Sequence, residues 1–151
     1  MKDKQDTLTT ELPMFNCKPF HQVEQFHHHF EFPLPLSPQL PNPEIFQSRI
    51  EFLQEEADEL YHSYNEGDLV GIMDAVLDLV YVAIGTGLYA GLSAKDLEAG
   101  FNSVHTANMQ KVKVAHAGES KRGIKWDAKK PSGWVGPEHE LARILNGLPR
   151  V

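Results

Sequence analysis

The stretch from Leu69 to Leu92 is long and apolar enough to cross a bilayer, yet two acids, Asp74 and Asp78, stand in its first half. Charges at membrane depth are costly, and they leave only Leu79 to Leu92 uninterrupted, too short a run to span. The stretch therefore reads as a helix that is apolar on most sides and belongs at the centre of a bundle or an oligomer. Its two acids, four residues apart, share one helical face, where they must be exposed, protonated or matched by cations. No membrane partner is expected.

The flanking sequence supplies the other helices. Asn42, Pro43 and Glu44 form a helix start: a side-chain cap, a proline at the first helical position and an acid near the positive end of the dipole. Phe46, Ile50, Leu53, Ala57, Leu60 and Tyr64 then draw one apolar stripe to about Glu66, where Gly67 stops the helix and Asp68 can cap the next. Helices joined so briefly are antiparallel neighbours. Ser93 and Asp96 resemble a capping box and open a helix through about Val112, with Leu97, Phe101, Val104 and Val112 facing its core. Val23, Phe26 and Phe30 predict an earlier helix over 19–32, and a short terminal helix is expected from Glu138 to Leu145. Prolines 33, 35, 38, 41 and 43 make a stiff connector at 33–43; without flanking Arg or Lys it does not resemble an SH3 ligand. The segment 115–137 is basic and aperiodic and reads as a long loop, with Trp126 and Trp134 as candidate anchors. With no strand pattern of comparable strength and no repeat, the fold class is all-α.

A chain of 151 residues suits a single domain, here residues 16–151 after a flexible segment 1–15. Its 21 acids against 14 bases give a net charge of -7, which argues against a nucleic-acid surface and requires an anionic ligand to bring bridging cations. Cys17 is the only cysteine, so neither an intrachain disulfide nor a cysteine zinc cluster is possible. The N-terminus lacks the apolar core of a secretory signal and carries acids that a transit peptide avoids, so a cytoplasmic location is expected.

Glu55, Glu56 and Glu59 lie beside the apolar stripe of their helix rather than opposite it. In a hairpin turning at residue 67, Glu56 and Asp78 are each eleven residues from the turn, while Glu59 and Asp74 are eight and seven away. These four acids, with Glu55, converge on one patch. Its oxygen donors suit Mg²⁺, a hard cation that keeps water ligands and can bridge phosphate oxygens. The bases at Lys121, Arg122, Lys125, Lys129 and Lys130 could close over such phosphates or simply be solvated.

The sequence EEADEL, followed by DAVLDLVYVAIGTGL, VHTANMQKV and KWDAKKPSGW, resembles the MazG-type all-α nucleoside triphosphate pyrophosphatases, with closest likeness to the MazG-like and dimeric dUTPase-related branch. The resemblance spans about Phe20 to Pro137. It implies a helical bundle, a homodimer or homotetramer, that converts a (d)NTP to its monophosphate and pyrophosphate with Mg²⁺, or Mn²⁺ as substitute, in nucleotide-pool housecleaning. By position, Glu56, Glu59 and Asp78 match the metal-binding acids and Glu55 the acid that orients or deprotonates the attacking water. Asp74 is a departure: many relatives have Glu three residues before the last Asp, where this chain has Ala75. Asn108 and Lys111 match positions that approach the nucleotide, His105 precedes them by one turn, and Lys125 and Lys130 lie in the lysine-rich closing segment.

Three alternatives remain. A phosphoribosyl-ATP pyrophosphohydrolase shares the acid motifs, although the longer N-terminal region and the KWDAKKPSGW segment favour the (d)NTP reading. A carboxylate-bridged di-iron bundle would use the Glu59–His62 pair but needs a second such pair in a helix. A non-catalytic interaction module would leave the acids structural. The run His27, His28, His29 cannot chelate one ion, because adjacent helical residues diverge around the axis.

Overall fold

A computed structural model describes residues 18–147. The segment 1–15 and Cys17 lie outside the described residues. Five helices follow in order: α1 (Pro19–His29), α2 (Pro43–Glu66), α3 (Leu69–Tyr89), α4 (Ala94–Met109) and α5 (Glu138–Leu145). A two-stranded ribbon, β1 (Val112–Lys113) and β2 (Ala128–Lys129), interrupts the long basic segment, with a 3-10 turn at Ala117–Glu119 between its strands.

The caps explain these boundaries. The Asn42 side chain accepts from the Glu44 and Ile45 amides at the start of α2, and Asp68 accepts from Val70 at the start of α3. Between them Gly67 sits at φ 71°, a left-handed turn for which glycine is best suited. At α4 the Ser93 hydroxyl and the Asp96 carboxylate complete a reciprocal capping box. Glu24, reaching across from α1, accepts from the Ala94 amide at 2.8 Å and so ties the two helices at that cap.

Helices α2 and α3 form the antiparallel hairpin that their short connection requires. Helix α1 packs on α3 and α4, and α5 on α4. Val23, Ile84 and Leu88 form a core packed by Phe20, Leu34 and Leu97, at the end of α3 far from its turn. The Pro-rich connector closes over that end through the Gln39 amide, which donates to the Ala90 carbonyl at 2.9 Å. At the other end α3 is open: Leu69 is 76% exposed and Met73 66%, and Val70, Val76, Leu77 and Val80 are exposed too. By length and composition α3 could cross a membrane.

Two expected boundaries are corrected. Helix α1 ends at His29 rather than residue 32, because Glu31 adopts φ 55° and turns the chain. Helix α4 ends at Met109 rather than about Val112, because Val112 and Lys113 pair with Lys129 and Ala128 in a ribbon that the sequence did not announce.

Candidate active site

The α2–α3 hairpin sets the height of every acid. Arg49 of α2 donates to the Val82 carbonyl of α3 at 2.9 Å and to the Thr86 hydroxyl at 3.3 Å. Nearer the turn, Ser63 fills the space beside Gly71. Both contacts join residues about equally far from Gly67, the register that puts Glu56 level with Asp78.

Glu56 is the one of the five acids that is partly buried; Glu55, Glu59, Asp74 and Asp78 are exposed. Its Oε2 is fully enclosed and has no hydrogen-bond partner. Desolvation first, and then the negative charges of Glu59, Asp78, Glu55 and Asp74, hold the Glu56 carboxyl above the usual carboxylate range. The order matches the register, with Asp78 acting on Glu56 more strongly than Asp74. All five acids therefore share one electrostatic neighbourhood. Among the described residues no group of three or more ligands is drawn to a single point, so the acids form a patch rather than a closed coordination shell. An enclosed, unpartnered carboxylate oxygen amid four further acids fits a hard cation such as Mg²⁺ or Mn²⁺. Glu55 and Glu59 also line an open groove of about 510 Å³ along α2 with Glu51, Gln54, Asp58 and His62. His62 pairs with Glu66 at 3.2 Å, which gives the Glu59–His62 pair of the di-iron reading no support.

The expected substrate residues lie elsewhere on the chain. Leu97 of α4 packs against Gly87 of α3, and Val104 lines the same cavity as Val80, so α4 runs back toward the acid-bearing half of α3. His105 and Asn108 are exposed near its end. Lys111 and Lys130 meet at Trp134, with ammonium nitrogens 5.8 Å and 4.1 Å from the ring centroid. Lys125 lies instead over Trp126. No hydrogen bond or ion pair among the described residues joins these five to the carboxylates. One anchor escaped sequence reasoning. Arg49 locks the hairpin register, and its only signal is a cation beside the apolar stripe. Trp134, expected as an anchor, does tie the segment to α4: its Nε1 donates to the Ala107 carbonyl at 2.7 Å.

A family model described as phosphoribosyl-ATP pyrophosphohydrolase matches residues 23–108, more than half of the chain. The chain belongs to the phosphoribosyl-ATP pyrophosphohydrolase family. No curated protein matches it. Membership makes the chain a pyrophosphohydrolase, a hydrolase of phosphoric anhydride bonds within the all-α MazG-like superfamily. The match covers every acid of the patch, His105 and Asn108, and stops before Lys111 and the basic segment. It names the phosphoribosyl-ATP alternative, which fits better than the free (d)NTP expected from the motifs; the dUTPase-related branch gains no support.

Proposed function

We propose that the chain hydrolyses the α–β anhydride of phosphoribosyl-ATP, releasing pyrophosphate and leaving the monophosphate. The observation behind this reading is Glu56, whose enclosed oxygen lacks a partner while four acids surround it. In the proposal Glu56, Glu59, Asp78 and Asp74 hold Mg²⁺, with Mn²⁺ as substitute. When bound, the ion would neutralise the phosphate oxygens and align the phosphate chain. Glu55, exposed on the same helix, orients a water and accepts its proton as the water oxygen bonds to phosphorus and the P–O–P bridge breaks. Asn108, His105, Lys111, Lys125 and Lys130 are assigned to the nucleotide and its phosphates. A (d)NTP is the second reading, favoured by the lysine-bearing segment that extends past the family match. The open face of α3 is assigned to a second copy of the chain, as homodimer or homotetramer, and the net charge of -7 leaves nucleic acid out.

The test is pyrophosphate release from phosphoribosyl-ATP and a panel of (d)NTPs, with Mg²⁺ and with EDTA. Metal-dependent release from phosphoribosyl-ATP above all others supports the reading, and preference for one (d)NTP moves it to the second. Glu56→Gln and Asp78→Asn are expected to lower kcat by at least about 100-fold while leaving helical circular dichroism unchanged. Near-normal turnover in either variant refutes the site. Mg²⁺ is expected to raise the wild-type Tm and to have little effect on Glu56→Gln.

A further inference from the structure

The acids of the basic segment are already engaged within it. Glu119 pairs with Lys129 at 2.8 Å and accepts from the Ala115 amide, while Asp127 accepts from the Ser120 hydroxyl at 2.6 Å and pairs with Arg122. Lys111 and Lys130 are not so neutralised: among the described residues neither has a carboxylate within ion-pair distance. Both ammonium groups instead lie by the Trp134 ring, Lys111 from the end of α4 and Lys130 from just beyond β2. The ring is oriented by its own N–H, which donates to the Ala107 carbonyl in the last turn of α4, where carbonyls lack helical partners. One indole thus joins two cations that are distant in sequence and fixes both against the same helix end.

We infer that Trp134 is a positioning residue that holds Lys111 and Lys130 as one oligophosphate-binding pair. A cation over an indole face keeps its charge and its three N–H donors, which remain available to phosphate oxygens, whereas a carboxylate partner would compete for them. Fixing two long side chains beforehand lowers the ordering cost that free lysines would incur on binding. The inference rests on the pyrophosphohydrolase reading only in taking phosphate as the ligand, and its deciding test is binding rather than turnover.

The experiment uses the full chain carrying Trp126→Phe, which leaves Trp134 as the only indole, titrated with inorganic pyrophosphate in EDTA and followed by tryptophan emission. A saturable change is expected, and Lys111→Gln and Lys130→Gln should each weaken it about tenfold. Lys130 is exposed and Lys111 half-buried, so helical circular dichroism is recorded for both variants and is expected to match the parent. In the otherwise wild-type chain, Trp134→Ala should raise KM about tenfold with kcat within about twofold, and Trp134→Phe, which keeps a ring, should recover part of the loss. Pyrophosphate that leaves the Trp134 emission unchanged, or binds Lys130→Gln as tightly as its parent, overturns the inference. If wild type also releases pyrophosphate from its nucleotide, only the clamp has failed. If wild type turns over no nucleotide yet pyrophosphate binding depends on both lysines, the clamp stands and the reading above fails.

Discussion

His27 shows how much one side chain can decide. It is 3% exposed, and its Nδ1–H donates to the Val23 carbonyl at 2.8 Å, so Nε2 carries the lone pair of a neutral ring. Phe26, Phe32 and Tyr89 surround it edge-on, and the Arg49 guanidinium stands near. Burial, which outweighs the opposing bond to Val23, lowers its pKa below the ordinary 6.5, and the charge on Arg49 adds to that. The folded chain therefore resists a proton that the unfolded chain accepts. Stability is full above pH 6.5 and drains away as the pH falls from there toward the lowered value. Urea unfolding at pH 7.5 and 5.5 should show a loss of stability at the lower pH that His27→Gln removes. A slope unchanged by that substitution would assign the acid sensitivity to another group. The sequence foretold that the three adjacent histidines would diverge, but not that His27 would be buried between α1 and α3.

At the element scale, α1 and α3 meet where Gly85 lacks a side chain. A β-carbon there would stand 2.9 Å from His27 Cε1 and 3.0 Å from Arg49 Nη2, both held in place. Gly85→Ala is expected to cost about 1–3 kcal/mol by overpacking. Gly100→Ala in α4 would meet only Leu141 Cδ2 at 3.2 Å and gain helix propensity, so its thermal midpoint should stay near wild type. Equal losses in the two variants would contradict this account. The helices were legible because caps and apolar spacing are local signals: Asn42, Asp68 and Ser93 open their helices where expected. The level of Glu56 and Asp78 was legible by counting from Gly67. The ribbon was not, because two-residue strands carry no periodicity and their register depends on Glu119 and Asp127 finding partners within the segment. Trp134 was legible as an anchor, but its partner was not, since Ala107 lies in another element.

For the whole molecule, the buried apolar core is small, and α3 turns Leu69, Val70, Met73, Val76, Leu77 and Val80 outward. An apolar face of that extent fits a second copy better than water. Light scattering at micromolar concentration should give at least a dimer, and Leu77→Glu should shift it to monomer while α2 and α3 remain helical. A wild-type monomer would remove the oligomer from the proposal. The segment from Val112 to Lys130 has a different standing. Its ion pairs and ribbon bonds join residues of the segment itself, Val114 is buried, and just beyond the segment the Trp134 N–H bonds to α4. It is thus expected to open as a cooperative unit of its own, smaller than the helical hairpin. In hydrogen exchange, the Val114 amide, bonded to the Asp127 carbonyl, should open together with its ribbon neighbours and well before the amides of α3. A ligand captured there would slow that exchange and leave the hairpin's protection unchanged.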